Sequence, residues 1–228
     1  MNLSELRDEL KLIVQDASLE GYYNTWINDS IASLAQEFDF PALRSLDPFP
    51  FSVVNTAWYR EAPESFMKKL LRCYNSAGSQ VKVLDRLEQL DYKDWDHGQT
   101  GTNITHICAF EHGGKKYFGY FPKATETIKV WFYEAPARLE KDSDVPDFCP
   151  PQFHSDVILP RIIVKNFELL QDMVKEAPYS SLGYWLQRQR AGLYGSGGTG
   201  EIGLINYLAK QRGIRRHGGR DPLFSGGY

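Results

Sequence analysis

The sequence predicts an α+β protein: helices from the two ends of the chain form one helical bundle, a small antiparallel β subdomain is inserted between them, and an extended C-terminal arm follows. Three observations carry this expectation. Apolar residues recur at helical intervals near both ends, residues 48–135 break into short aromatic and β-branched segments between turn residues, and the chain beyond Gly195 is rich in glycine and arginine. The expected divisions are residues 1–47 as an N-terminal helical hairpin, 48–135 as the inserted β subdomain, 136–194 as a connector with the C-terminal bundle helices, and 195–228 as a glycine-rich hinge and arm.

The elements follow in order. Asn2 stands three residues before Glu5, the spacing of a capping box, and Leu3, Leu6, Leu10, Ile13 and Val14 share one helical face. After a break at Asp16 to Ser18, the residues Leu19, Tyr23, Trp26, Ile27, Ile31, Leu34 and Phe38 keep the same period until Pro41 stops it, so two helices should pack as a hairpin. Candidate strands are Phe51 to Tyr59, Phe66 to Tyr74, Gln80 to Leu84, Thr105 to Phe110, Lys115 to Phe121 and Thr127 to Tyr133, with His112-Gly113-Gly114 as a hairpin turn. Arg86 to Tyr92 reads as a helical turn and Asp94 to Asn103 as a mobile polar loop. A proline-bearing connector from Pro136 to Pro151 leads into a second helical pattern, in which Pro160 must start, kink or restart the helix. Leu182, Trp185, Leu186 and Leu193 mark a further helix capped by Ser180 or Ser181, and Ile202, Leu204, Ile205 and Leu208 mark a short one within the tail. The expected core of the bundle is Leu6, Leu10, Trp26, Ile27, Ile31, Leu170 and Met173.

Composition narrows the classes of function. No window approaches the roughly 18 apolar residues of a membrane span, and Glu5, Asp8 and Glu9 interrupt the start where a signal peptide is apolar, so folding in the cytoplasm is expected. Cys73, Cys108 and Cys149 are odd in number and widely spaced, which suits buried thiols better than a disulfide framework or a zinc knuckle. The net charge of −3 is uneven: residues 201–228 carry five basic and two acidic residues, while residues 1–200 carry 21 basic and 27 acidic ones. An acidic body with a basic tail points to an arm that docks elsewhere.

Motifs of chemistry are weak throughout. Gly195 to Gly200 matches GxGxxG, yet it follows a helix instead of a strand and lacks a P-loop lysine, so a flexible hinge on Gly195, Gly197, Gly198 and Gly200 is the better reading. His97, His106, His112, His154 and His217 have no metal-binding spacing, and a triad of His106 with Asp156 or Glu111 can be assembled only by choice. The carboxylates Asp91, Asp94 and Asp96, or Glu140, Asp142 and Asp144, lack the ligand order of a calcium loop. The aromatic run of Tyr117, Phe118, Tyr120, Phe121, Trp131, Phe132 and Tyr133 fits sheet packing better than a stacking platform for single-stranded nucleic acid. No catalytic, cofactor or metal site is expected, and an enzyme is not.

Read in order, these features resemble the head-to-tail adaptor (connector) family of tailed bacteriophages. The carrying residues are Trp26-Ile27-Asn28 in the second helix, a strand ending at Tyr59 ahead of Ala62-Pro63 and Phe66, and the small helix at Asp85 to Leu90. They continue with Tyr117 to Phe121 running into Pro122, then Ile128 to Tyr133, and the connector residues Leu139, Asp144 and Pro146. The resemblance covers Asn2 to Tyr194; Pro160 inside the expected long helix and the tail beyond Gly195 depart from it. It implies a structural virion protein of the neck, assembled in the host cytoplasm. The implied assembly is a ring, commonly of twelve subunits, bound to the portal protein above and to tail tube, nozzle or fibre-bearing proteins below. Packaged DNA would pass through the lumen without sequence-specific binding. In that setting Arg212, Arg215, Arg216 and Arg220 would pair with acidic portal groups while Leu223, Phe224 and Tyr228 anchor in apolar pockets; the alternatives are a disordered tail or arginine contacts to DNA phosphates. A stopper or tail-completion protein is the nearest other reading, and a nucleotide-binding enzyme a more distant one.

Overall fold

A computed structural model describes residues 1–14, 17–166, 182–191 and 199–211 and shows an α+β chain. Helix α1 spans Leu3–Ile13, and its capping box forms as the sequence predicts: the Asn2 side chain accepts from the Glu5 amide at 2.9 Å and the Glu5 carboxylate accepts from the Asn2 amide at 2.9 Å. Leu3, Leu6 and Leu10 are fully buried on one face. A 3-10 turn at Ala17–Tyr22 leads into α2, Tyr23–Glu37, and the Tyr23 hydroxyl donates back to the Val14 carbonyl at 3.2 Å. Trp26, Ile27 and Ile31 are buried as expected of core positions, whereas Leu170 and Met173 lie outside the described residues.

The chain divides into two compact units. One combines Met1–Ser30 with Leu139–Tyr228, so both ends of the chain build the helical unit; the other is Ile31–Arg138. In the helical unit a π-turn at His154–Ile158 opens into α4, Leu159–Lys165, with Pro160 in its first turn, where no backbone donor is required. α5 (Leu182–Ala191) and α6 (Gly200–Gln211) pack with α4 around Trp185, Ile162, Leu204 and Leu208. A polar clamp ties these three helices: Arg161 of α4 pairs with Glu201 of α6, which also accepts from Gln189 of α5 at 2.7 Å. Gly200 begins α6 at φ +61°, a left-handed conformation that favours glycine, and it is buried. The tail helix expected from Ile202 to Lys210 is therefore a packed element of the unit.

The second unit corrects the expectation of a small antiparallel subdomain. Its sheet has seven strands: β1 Phe49–Val53, β2 Tyr59–Glu61, β3 Phe66–Tyr74, β4 Gln80–Leu84, β5 His106–His112, β6 Lys115–Phe121 and β7 Glu126–Glu134. Their spatial order is β1-β7-β3-β4-β5-β6-β2. The segment read as one strand from Phe51 to Tyr59 is two, β1 and β2, separated by a turn at Val54 to Ala57. These two strands end the sheet order on opposite sides yet are joined by that short turn, so the sheet curls into a nearly closed barrel. Arg60 of β2 donates to the Ser52 carbonyl of β1, and Tyr120 of β6 donates to the Val54 carbonyl at 3.2 Å. The sheet is also mixed, because β4 and β5 run parallel. A long crossover containing α3, Leu87–Asp91, joins them, and such a connection returns the chain in the same direction. The tight turn between β5 and β6 is the expected one, with Gly113 and Gly114 at φ +58° and +75°.

Phe51, Phe66, Val81, Ile107, Phe118, Tyr120, Val130 and Phe132 fill the barrel interior. A smaller cluster of Leu84, Leu90 and Cys108 lies between α3 and the outer face of β4 and β5. Truncating Trp26, which is 8% exposed and packs on the rings of Tyr22 and Tyr23, should destabilise the protein by about 3–5 kcal/mol; the midpoint of urea unfolding of Trp26→Ala measures this.

Candidate interaction surfaces

Residues on which the family resemblance rests converge in the helical unit. Asn28, on α2, uses both atoms of its side-chain amide on one peptide residue: Oδ1 accepts from the Leu139 amide at 2.8 Å and Nδ2 donates to the Leu139 carbonyl at 3.0 Å. Both bonds are buried, so the pair imitates a strand pairing with a side chain. Downstream, the Asp144 carboxylate accepts from the Glu140 and Lys141 amides at 2.9 and 2.8 Å, which hold its pKa below the ordinary carboxylate value. Its carbonyl accepts from the Leu3 amide at 2.8 Å, the Asp142 carbonyl accepts from Ser4 at 3.2 Å, and the Asp142 carboxylate pairs with Arg7. The connector is thus knitted to the first turn of α1. Beyond it His154 is fully buried, its Nε2 bonded to the Cys149 carbonyl at 2.7 Å and its Nδ1 2.8 Å from the Met1 amino group.

In the β unit three polar anchors fix the loops. The Glu126 carboxylate accepts from the amides of Ser76 at 2.7 Å and Ile104 at 2.5 Å and from the Asn103 side chain at 3.1 Å. Burial alone would raise its pKa; these bonds outweigh burial and lower it. Lys68 of β3 donates to the Ala35 and Phe38 carbonyls at 2.8 and 2.6 Å, capping the end of α2, and sits 3.0 Å from Asp39. The loop expected to be mobile carries its own bonds: Asp94 accepts from Gln99 at 2.7 Å, and Gln99 and Gly101 exchange backbone bonds with Lys123. Tyr92, just before this loop, and Trp95, within it, stand 91% and 87% exposed.

The candidate chemical groups are scattered or already engaged. His106 bonds the Thr105 hydroxyl at 2.9 Å, Glu111 lies near the far end of the same strand, and Asp156 belongs to the helical unit. His97 stacks on Trp58 with ring centroids 3.9 Å apart and lies 3.2 Å from Asp91. Among the described residues no group of three His, Cys, Asp or Glu could hold a metal ion, and no helix is long and apolar enough to cross a membrane. All three cysteines are buried, with thiol pKa values pushed up to about 12, 11 and 12 for Cys73, Cys108 and Cys149, chiefly by that burial, so the thiols are unreactive. Of the aromatic run, Phe118, Tyr120, Phe132 and Tyr133 are core residues. Gly195, Gly197, Gly198, Arg212, Arg215, Arg216, Arg220, Leu223, Phe224 and Tyr228 lie outside the described residues.

Charge separates the two units. Residues 31–138 carry thirteen basic and thirteen acidic residues, so the whole excess of six negative charges in residues 1–200 falls on the helical unit. One pH dependence follows from His154, whose pKa lies below the ordinary 6.5 because burial disfavours the imidazolium and the nearby amino-terminal charge adds to this. The unfolded chain then takes up the proton first, so the stabilisation is complete above about pH 6.5 and is lost as pH falls through the lowered folded value. The lowered Asp39, Glu126 and Asp144 lose theirs only below the ordinary carboxylate range. Urea midpoints should therefore fall between about pH 7 and pH 5 in the native protein, with a shallower fall in His154→Gln.

The SU10 adaptor protein family matches residues 1–201. No curated protein matches the chain. The match takes in the whole β unit, the Asn28 and Leu139 pair, the connector and the first residues of α6, and on this evidence the chain belongs to the SU10 adaptor family of phage adaptor proteins.

Proposed function

We propose that this adaptor is a structural protein of the phage neck, forming a ring, most simply of twelve copies, between the portal and the tail. The observation that carries this reading is family membership over residues 1–201 combined with the charge layout. A ring around passing DNA benefits from an acidic wall, since strong phosphate neutralisation would hold the DNA back. Exposed aromatics such as Tyr92 and Trp95 suit contacts with tail tube, nozzle or fibre-bearing proteins, because buried aromatic anchors dominate interface energetics. The virion neck is the corresponding location.

In this reading the C-terminal arm binds the portal. Its basic residues Arg212, Arg215, Arg216 and Arg220 meet acidic portal groups, and Leu223, Phe224 and Tyr228 seat in apolar pockets. The reaching segment starts after Gln211, because α6, Gly200–Gln211, packs within the helical unit. Removal of residues beyond Gly200 would strip the Glu201 clamp and the buried Leu204 and Leu208, so the informative truncation is after Gln211.

The truncated protein should unfold at an unchanged temperature while losing portal binding. Light scattering of the intact protein alone should show monomer or a mixture, with a defined ring only on the portal. Equal portal affinity with and without residues 212–228 would overturn the arm, and absence of any portal binding by the intact chain would favour a stopper or tail-completion role.

A further inference from the structure

The strand register divides the outer face of the sheet into two parts. α3 covers one part through Leu84, Leu90 and Cys108. On the other, Arg72 of β3 lies opposite Trp131 of β7, Tyr74 lies opposite Lys129, and Lys82 of β4 lies opposite His106 of β5. Their neighbours Cys73, Val81, Ile107 and Val130 point the other way into the barrel core. Arg72, Lys82 and Lys129 are exposed and, among the described residues, have no ion pair or hydrogen bond from their side chains. β3 and β4 contain no acidic residue, and the carboxylate of Glu126 in β7 is committed to Ser76, Asn103 and Ile104.

The Arg72 guanidinium lies 4.2 Å from the centre of the Trp131 ring, and Tyr74 meets that ring edge-on at 5.8 Å. The arginine is therefore held in place before any partner arrives, with its donors available for a carboxylate. Trp131 is already covered by Arg72, so it offers no free ring for base stacking. An acidic protein surface suits this face better than a nucleic acid strand.

The chain itself supplies such a surface. The helical unit carries the whole acidic excess, and Asp8, Glu140, Asp142 and Asp147 are exposed on α1 and the connector bonded to it. A closed ring needs two different, mutually complementary faces on each subunit. We propose that the open sheet face built on Arg72, Lys82 and Lys129 around Trp131 docks the acidic helical unit of a second copy of this chain. The inference rests on the ring reading, but its test needs no portal.

Two full-length variants carry the test: a face variant, Arg72→Glu with Lys82→Glu and Lys129→Glu, and a helix variant, Asp8→Lys with Glu140→Lys and Asp147→Lys. Circular dichroism establishes that each folds. In sedimentation at about 50 mM salt, where charge pairs are weakly screened, and at concentrations where the native chain is a mixture of monomer and open oligomers, each variant alone should self-associate at least tenfold more weakly than the native chain. A native chain that stays monomeric at every concentration overturns the proposal. Their equimolar mixture should recover association, because every junction between unlike copies restores opposite charge, and salt at about 0.5 M should weaken it. The milder Arg72→Gln, Lys82→Gln, Lys129→Gln chain should fall between. A mixture that stays monomeric, or variants that associate like the native chain, overturns the proposal. So does binding of a DNA oligonucleotide that the face variant loses while the mixture fails to associate, which would make the face a nucleic-acid surface. A ring that still forms on the portal beside such a failure would leave the adaptor reading standing and remove only this face from it.

Discussion

The two hydrogen bonds between the Asn28 side chain and the Leu139 backbone hold together the places where the chain leaves the helical unit and where it returns. Between them lies the whole β unit, Ile31–Arg138. Bringing together the ends of a flexible segment of that length costs on the order of 4 kcal/mol in chain entropy. The folded barrel bears most of this, and the amide pair fixes the final register. Asparagine is suited to the task because its side chain offers one donor and one acceptor with the geometry of a peptide; aspartate would leave the Leu139 carbonyl unpaired, and an aliphatic residue would orphan both groups. From Leu139 onward the connector turns under Asp144 and bonds the first turn of α1, so the N-terminal cap, the connector and the His154 pocket form one continuous arrangement.

This arrangement lets a single chain carry two units with different electrical character. Up to residue 200 the helical unit carries six excess negative charges and the β unit is neutral, but the β unit places uncompensated cations on one open sheet face while the carboxylates of Glu126 and Asp94 serve its own loops. Such a division suits an assembly protein. Acidic surface keeps copies apart until opposite faces meet in the correct orientation, and the separation of charge gives the contact a direction.

Much of the helical unit was legible from local signals. The Asn2 and Glu5 spacing, the leucine period of α1 and the placement of Pro160 each depend on residues within one or two turns. The Gly113-Gly114 turn was legible for the same reason. The sheet was not. Whether Phe51 to Tyr59 is one strand or two depends on where β6 and β7 offer partners, and the parallel pairing of β4 with β5 depends on a crossover of some twenty residues. Neither is encoded in alternation of apolar residues. Glu126 and Lys68 escaped notice because a charge in a strand reads as solvent-facing, although each serves several backbone partners. Asn28 was visible only as part of a family motif, since its partner lies 111 residues away.

Hydrogen exchange at the Leu139 amide tests the central constraint most directly, because that donor is bonded to the Asn28 side chain. In the native protein it should be protected as strongly as the core amides of α2. In Asn28→Ala it should exchange on the order of a hundredfold faster, while amides of β3 and β7 keep their protection. Rapid exchange at Leu139 in the native protein, or full protection that survives Asn28→Ala, would contradict the account.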